Sequence, residues 1–380
     1  MKTLILGCGN IGTTAAQDLA NNMPKTQITL ADNDKQRART TAEKINKSNV
    51  TWTQLDVTNT QQLQKTIADT DLIMGFLPGK LGYPLMKECI RAQRNLVDVS
   101  FMEENPLTLQ KEATKAKITI IPDCGLAPGI SNILIGHATR QLTKTKKIHI
   151  MVGGLPEKPI PPLEYVVTWS PESLIDEYTR QVTIIRNGKK TCIAPLTGTE
   201  QIKFPRLGKL EAFFTDGLRS LIETITNVEE MWEKTLRYPG HAEKIRLLSQ
   251  LGFFDPNPIH IENTEISPRK ITAKLLDQKL ARPEIRDIVA LSVHVSGLGH
   301  GKTKSYTYHL LDRFDNKNHI TSMARTTAYP ASIIAQLVLE GKIQEKGIVP
   351  PEKLGKNDEV FYRFMKEMKK RQIIIKETKT

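Results

Sequence analysis

Gly7, Gly9 and Gly12 stand at G-x-G-x-x-G spacing in Leu-Gly-Cys-Gly-Asn-Ile-Gly, and an acid, Asp32, follows twenty residues later. These residue types at this spacing bind a dinucleotide. Gly7 permits a tight turn, Gly9 lets the backbone approach a pyrophosphate, and Gly12 lets the following helix pack on the preceding strand. The N–H groups around Asn10 and Ile11 then open a helix whose positive end faces the phosphates. Asp32 accepts hydrogen bonds from a ribose and repels a 2′-phosphate, which favours NAD. Lys35 and Arg37 lie just beyond it and can neutralise a phosphate, so NADP is also open.

The elements that must position these residues are legible in the apolar pattern. Leu4, Ile5 and Leu6 read as a buried strand, Ile11, Ala15, Ala16 and Leu19 recur at helical intervals, and Ile28 to Ala31 is a second strand. Beyond them the pattern predicts helix 35–47, strand 50–55, helix 60–68, strand 72–76, helix 83–92, strand 96–99, helix 103–115 and strand 118–121. Six strands with helical crossovers imply an α/β, Rossmann-type doubly wound parallel sheet, with ligands beyond the carboxyl ends of the strands. Asp56 and Val57 should therefore border the adenine. Leu77, Pro78 and Ser100 should border the nicotinamide.

After residue 126 the texture changes to runs of strands, the signature of an α+β domain on a largely antiparallel sheet. Strands are expected at 147–152, 181–186, 190–194, 287–296, 303–314 and 319–324, with Asn187-Gly188 as a hairpin turn. Helices are expected at 130–140, 218–225, 241–250 and 268–280, the last opened by Ser267-Pro268. The resulting division is 1–126 for the dinucleotide domain, 127–324 for substrate and dimerisation, and 325–380 as a helical segment returning to the first domain.

At 380 residues and 39% hydrophobic content the chain supports two ordinary cores, and no apolar run has the length of a membrane span. It begins directly with a strand, which argues against a signal peptide. The four cysteines have neither metal nor C-x-x-C spacing, so no metal is expected and a reduced, cytoplasmic setting is. The net charge of +13 is spread along the chain without a nucleic-acid motif and suits an anionic cofactor.

Several stretches resemble the saccharopine dehydrogenase family, most closely its lysine 6-dehydrogenase-like branch. They are Asp123-Cys124-Gly125-Leu126-Ala127-Pro128-Gly129, Gly153-Gly154-Leu155-Pro156 with Pro161-Pro162-Leu163-Glu164-Tyr165, Leu210-Glu211-Ala212-Phe213-Phe214-Thr215-Asp216-Gly217, Leu236-Arg237-Tyr238-Pro239-Gly240-His241, and Met323-Ala324-Arg325-Thr326-Thr327-Ala328-Tyr329. The resemblance implies NAD(P)-dependent oxidation at a carbon bearing nitrogen in an amino acid, or the reverse. It also implies a dinucleotide domain followed by an α+β domain that forms a homodimer. A saccharopine-type reductase joining an aldehyde and an amine with NADPH, and a dinucleotide sensor without turnover, are the alternatives.

Amine oxidation needs a base for the ammonium and a cation for the substrate carboxylate. His241, at a helix start after Pro239-Gly240, is the first candidate base, with a capping role as the competing expectation. Asp216, in a turn, can hold the amino group with Thr215. Glu164, after a proline-rich loop, and Asp123, at the end of the sixth strand, are further acid–base candidates, Asp123 also being a candidate helix cap. Arg237 is the expected carboxylate partner and Tyr165 a substrate neighbour. Arg325 can contact substrate or form an interdomain salt bridge. Cys124 is expected to serve packing.

Overall fold

The structure, a computed structural model, describes residues 1–280 and 285–380. It divides into two compact units, 1–141 with 324–374, and 142–323 with 375–380.

The first unit opens with β1 (Lys2–Leu6), α1 (Asn10–Asn22), β2 (Gln27–Asp32), α2 (Lys35–Ile45), β3 (Val50–Gln54), α3 (Thr60–Ile67), β4 (Leu72–Gly75), α4 (Gly79–Ala92) and β5 (Asn95–Asp98). It continues with α5 (Gln110–Lys115), β6 (Thr119–Ile121) and α6 (Ile130–Arg140). Local chemistry sets many boundaries. The Asp34 side chain accepts the Arg37 N–H to start α2, and Asn46 and Gln93 end α2 and α4 in the left-handed conformation. β1, β4, β5 and β6 are largely buried apolar runs, as expected where helices cover both faces of a parallel sheet, whereas the edge strand β3 is half-exposed.

The second unit contains β7 (Lys144–Pro156), α7 (Pro171–Thr179), β8 (Val182–Arg186), β9 (Lys189–Ile193), β10 (Glu200–Phe204), β11 (Gly208–Phe214), α8 (Leu221–Thr224), β12 (Glu230–Arg237) and α9 (His241–Gln250). A small hairpin of β13 (Ile259–Ile261) and β14 (Thr264–Ile266) leads to α10 (Pro268–Leu280), β15 (Asp287–Gly299) and β16 (Lys302–Arg313). The chain then returns to the first unit through α11 (Ser322–Leu339), β17 (Gly347–Ile348), α12 (Pro351–Gly355) and α13 (Asp358–Lys370). Its last strand, β18 (Ile375–Lys379), pairs with β16 in the second unit.

The first sheet runs β17-β6-β5-β4-β1-β2-β3, every pair parallel, with the order reversing beside β1. That reversal is the switch point at which a doubly wound sheet binds ligands. The second sheet has nine strands among the described residues, seven on the path β10-β11-β12-β7-β15-β16-β18, with β8 paired to β12 and β9 to β8. β7 and β12 are parallel, so the sheet is mixed rather than wholly antiparallel.

Several expectations give way to longer-range interactions. No strand forms at 319–324. A single bridge joins Asp315 and Ile320, and α11 starts at Ser322 because the Asp287 carboxylate accepts the N–H groups of Ser322 (2.6 Å) and Met323 (2.8 Å). A cap supplied from 35 residues away leaves no local signal. The helix expected at 103–115 is a 3₁₀ turn at Pro106–Leu109, started by the Asn105 side chain, followed by the short α5. The helix expected at 218–225 shrinks to α8. α6 belongs to the first unit, and the short β17 adds a seventh parallel strand beside β6.

Candidate active site

The first unit builds a phosphate-binding loop from backbone. Gly7 has φ of 96°, and a Cβ on it would strike the carbonyl of Phe76. A Cβ on Gly12 would overlap the carbonyl oxygen of Gly7. Gly9 is different, since a Cβ there meets nothing within 4 Å. Two glycines thus make the turn and the third leaves a clear approach. α1 has no side-chain cap, so the N–H groups at its start, next to Asn10 and Ile11, keep their donor capacity for an anion. These features fit a dinucleotide pyrophosphate.

Asp32 ends β2 as expected, but it also shapes the loop. Its carboxylate accepts the N–H of Cys8 (2.8 Å) and of Asp34 (2.9 Å). Each oxygen retains a lone pair for a ribose hydroxyl. Arg37 sits 3.9 Å from Asp32 with its side chain half exposed. Asp56 is exposed and held in a turn by Thr58, whose hydroxyl and N–H lower its pKa, and Val57 is half-buried beside it. Leu77 and Pro78 precede α4, with Pro78 as its cap residue.

At the end of β5, Asp98 is fully buried. Ser100 donates to it through its N–H (2.8 Å) and its hydroxyl (3.1 Å). Burial pushes the Asp98 carboxyl up to about 7 against the effect of those two bonds, and nearby Asp123 adds to the rise. Asp123 is itself buried, with φ of 53°. Cys124 donates its N–H to the Asp98 carbonyl, and burial raises its thiol far above the reactive range. Arg325, on α11 of the same unit, is buried and donates to the carbonyl of Arg371 (2.8 Å).

The second unit gathers the remaining candidates around β12. Alternation along a strand puts Glu233, Thr235 and Arg237 on one face. α7 contributes Glu177 and Tyr178. Arg237 donates through Nε to Tyr178 (3.1 Å), through Nη1 to the Leu236 carbonyl (3.0 Å), and through Nη2 to both oxygens of Glu177 (3.2 Å each). Its guanidinium also lies 4.6 Å from the centre of the Tyr165 ring. The arginine expected to meet a substrate carboxylate is therefore engaged by a carboxylate of its own chain. Tyr165 is buried and accepts from the Trp169 indole (3.3 Å).

His241 begins α9 as expected, but both ring nitrogens are occupied. Nδ1 lies 2.7 Å from the Leu163 carbonyl, which only accepts, so Nδ1 carries the proton. Nε2, 2.8 Å from the Tyr178 hydroxyl, then accepts from it. Burial, reinforced by Arg237, lowers the imidazole to about 3. The helix dipole alone would have left it a base near neutrality. Desolvation favours the neutral imidazole, whose Nε2 accepts from Tyr178 in this structure. The α9 start is capped instead by Glu211, which accepts the N–H groups of Gly240 (2.9 Å) and Ala242 (2.6 Å).

Glu164 is ion-paired with Lys244, whose ammonium also donates to the Pro162 carbonyl (2.8 Å). Thr215 is buried and shares a hydrogen bond with Thr235 (2.8 Å). Thr235 in turn donates to Glu177 (2.6 Å). Asp216, half-buried, follows in the turn after β11 and acts electrostatically on Glu233. Glu177, Tyr178, Glu233 and Thr235 are the residues that the sequence reading missed. Two signals were present: Ser170-Pro171, a helix start like Ser267-Pro268, and the polar i, i+2 alternation of Glu233, Thr235 and Arg237.

Comparison with known proteins covers both units. Residues 3–121 match the saccharopine dehydrogenase NADP binding domain, and residues 125–374 match the saccharopine dehydrogenase C-terminal domain. The chain is 26% identical over 405 residues to the alpha-aminoadipic semialdehyde synthase of Arabidopsis thaliana, an alignment covering 83% of this chain and 37% of that protein. It is 24% identical over 451 residues to saccharopine dehydrogenase (NADP(+), L-glutamate-forming) of Saccharomyces cerevisiae, covering 100% of this chain and 99% of that one. The chain therefore spans less than half the length of the synthase and the whole of the yeast dehydrogenase. The solved apo structure of saccharopine dehydrogenase (L-Glu forming) from Saccharomyces cerevisiae matches with a TM-score of 0.80 at 22% identity, over 100% of this chain and 99% of that one, which shows a shared fold. With both of its domains matched in order along 3–374, the chain belongs to the saccharopine dehydrogenase family of oxidoreductases.

Proposed function

We propose that the protein is an NAD(P)-dependent amino-acid dehydrogenase acting at a carbon that bears nitrogen. The observation that carries this reading is the loop of Gly7, Gly9 and Gly12, open at Gly9 and followed by a helix without a side-chain cap, in a domain matched to a dinucleotide-binding model. The bound dinucleotide supplies the hydride acceptor, or the donor in reverse. This chain's part is to hold it, to bind the amino acid and to manage the proton. Asp98 with Asp123 gives the first unit an ionisable pair at the strand ends, where the nicotinamide lies in this kind of sheet. Oxidative deamination through an imine, in the manner of lysine 6-dehydrogenase, and saccharopine-type joining of an aldehyde with an amine use the same redox step. The names of the relatives support the second.

Arg37, half exposed beside Asp32, supports use of NADP as well as NAD. A homodimer through the second sheet is part of the reading, supported by a half-exposed face on which His149 stacks against Trp232 at 4.1 Å. A reduced, cytoplasmic setting is supported by four free cysteines, three of them buried. The test is a screen of amino acids and diamines for reduced-nicotinamide absorbance with both cofactors, run in both directions. Turnover of at least one amino acid is expected. Dinucleotide binding without any turnover would sink the reading in favour of a sensor.

A further inference from the structure

One half of the parallel sheet ends in two buried acids. A doubly wound sheet is built from two mononucleotide-binding halves that meet at its switch point. β1 to β3, with Asp32, form the adenosine half, so the ends of β4, β5 and β6 face the nicotinamide. Asp98, ending β5, is 0% exposed, and Asp123, just past β6, is 1% exposed. The surrounding chain leaves room for Asp98. A Cβ on Gly75, its partner in β4, would strike its Oδ2, and a Cβ on Gly82 of α4 would press on Ser100, which donates to it. Titratable groups beside Asp98 are Asp123 and Cys124 beyond β6 and Cys89 on α4, and all three are acids. Burial and Asp123 together hold the Asp98 carboxyl up at about 7.

A buried carboxyl is costly to ionise without a cation beside it. The cofactor brings or withholds that cation according to its redox state. The oxidised nicotinamide ring carries a positive charge, and the reduced ring carries none. A cation within about 4–6 Å lowers a carboxyl pKa by about 1–3. We propose that Asp98 is the charge partner of the oxidised nicotinamide, giving up its proton to solvent when that ring binds and keeping it beside the reduced ring. The site then tells the two redox states of one cofactor apart by charge, and rising pH favours the oxidised complex. The glycine loop holds the pyrophosphate through N–H groups that do not titrate, so it adds no pH dependence of its own. This inference rests on the redox reading above and deepens it at the nicotinamide end.

Calorimetric titration of the full-length protein with NAD⁺ and with NADH tests the proposal. Neither carries a 2′-phosphate, whose own ionisation at about pH 6 would overlap the window. At pH 7, in two buffers of different protonation enthalpy, NAD⁺ should release about half a proton and NADH none. NAD⁺ should bind about five- to tenfold more tightly at pH 8 than at pH 6, whereas NADH should not tighten. Asp98→Asn should abolish the proton release and flatten the NAD⁺ profile. Ser100→Ala removes a donor to the ionised carboxylate, so it should move the NAD⁺ profile to higher pH, and it serves if Asp98→Asn fails to fold. Equal proton release with NAD⁺ and NADH, or an NAD⁺ profile unchanged in the folded variants, overturns the proposal. The two readings fail separately. Amino-acid turnover with NAD⁺ affinity independent of pH between 6 and 8 overturns this inference alone. Asp98-dependent proton release on NAD⁺ binding, without turnover of any amino acid, overturns the redox reading alone.

Discussion

The two units build their candidate sites from opposite materials. In the first, the binding groups are main-chain N–H donors, and the side chains that matter are absent ones, at Gly7, Gly9 and Gly12. In the second, the groups are ionisable side chains, Glu233 and Arg237 buried on one face of β12 and Glu177 half-buried against it. A backbone site depends on local geometry and is insensitive to pH. A buried-charge site depends on strand register and on which acid finds which base. The first suits a cofactor common to many reactions, and the second can be retuned to a substrate by single residues.

The largest expected effect breaks the backbone site alone. Gly12→Ala puts a Cβ into the Gly7 carbonyl, and displacing the loop by about 1 Å should reduce dinucleotide affinity by about 10²-fold or more. Fluorescence titration measures it. Retained affinity would show that the loop has slack.

The second effect breaks the charge site alone. Glu177→Ala leaves Arg237 buried without its carboxylate, which should cost about 3–5 kcal/mol. Urea unfolding followed through Trp169 and Trp232 reports on this unit. A loss under about 1 kcal/mol would mean that solvent reaches Arg237.

Two buried titrations sharpen the contrast. Asp98 is raised to about 7, so its contribution to stability is full below its unfolded value near 4 and is lost as pH rises through 7. His241 is lowered to about 3, so its contribution is full above about 6.5 and is lost as pH falls toward 3. Asp98→Asn should remove the first slope and His241→Gln the second, each on the order of 2–4 kcal/mol across its window. His241→Gln should also leave the pH profile of kcat/KM unchanged between 6 and 8. Loss of an ionisation near neutrality would identify His241 as the base.

The smallest effect concerns cofactor choice. Arg37→Ala should weaken NADPH by about three- to tenfold and leave NADH nearly unchanged, as expected for one exposed charge-assisted contact. Equal losses would move the 2′-phosphate elsewhere.

This contrast also explains what could be read from the chain. The glycine loop, β1 to β6 and α9 were legible because their signals lie within a few residues: apolar runs, caps and φ-positive turns. β17 was missed because a two-residue strand has no periodicity, and the false strand at 319–324 arose because the cap on α11 comes from Asp287. His241 and Arg237 are legible as residues, but the partners that engage them are not. Their partners, Tyr178 and Glu177, lie some sixty residues away, and burial rather than position decides their protonation. Glu233 carried only a two-residue alternation with Thr235 and Arg237, which cannot reveal that its neighbours in space are acids.

The most direct measurement follows the hydrogen itself. With the amino acid that gives turnover, deuterated at the carbon bearing nitrogen, proton NMR of the recovered dinucleotide should show deuterium at C4 of the nicotinamide and a carbonyl or imine product. A dinucleotide that binds with the affinity expected of the glycine loop, yet recovers no deuterium from any amino acid or diamine, would contradict the account.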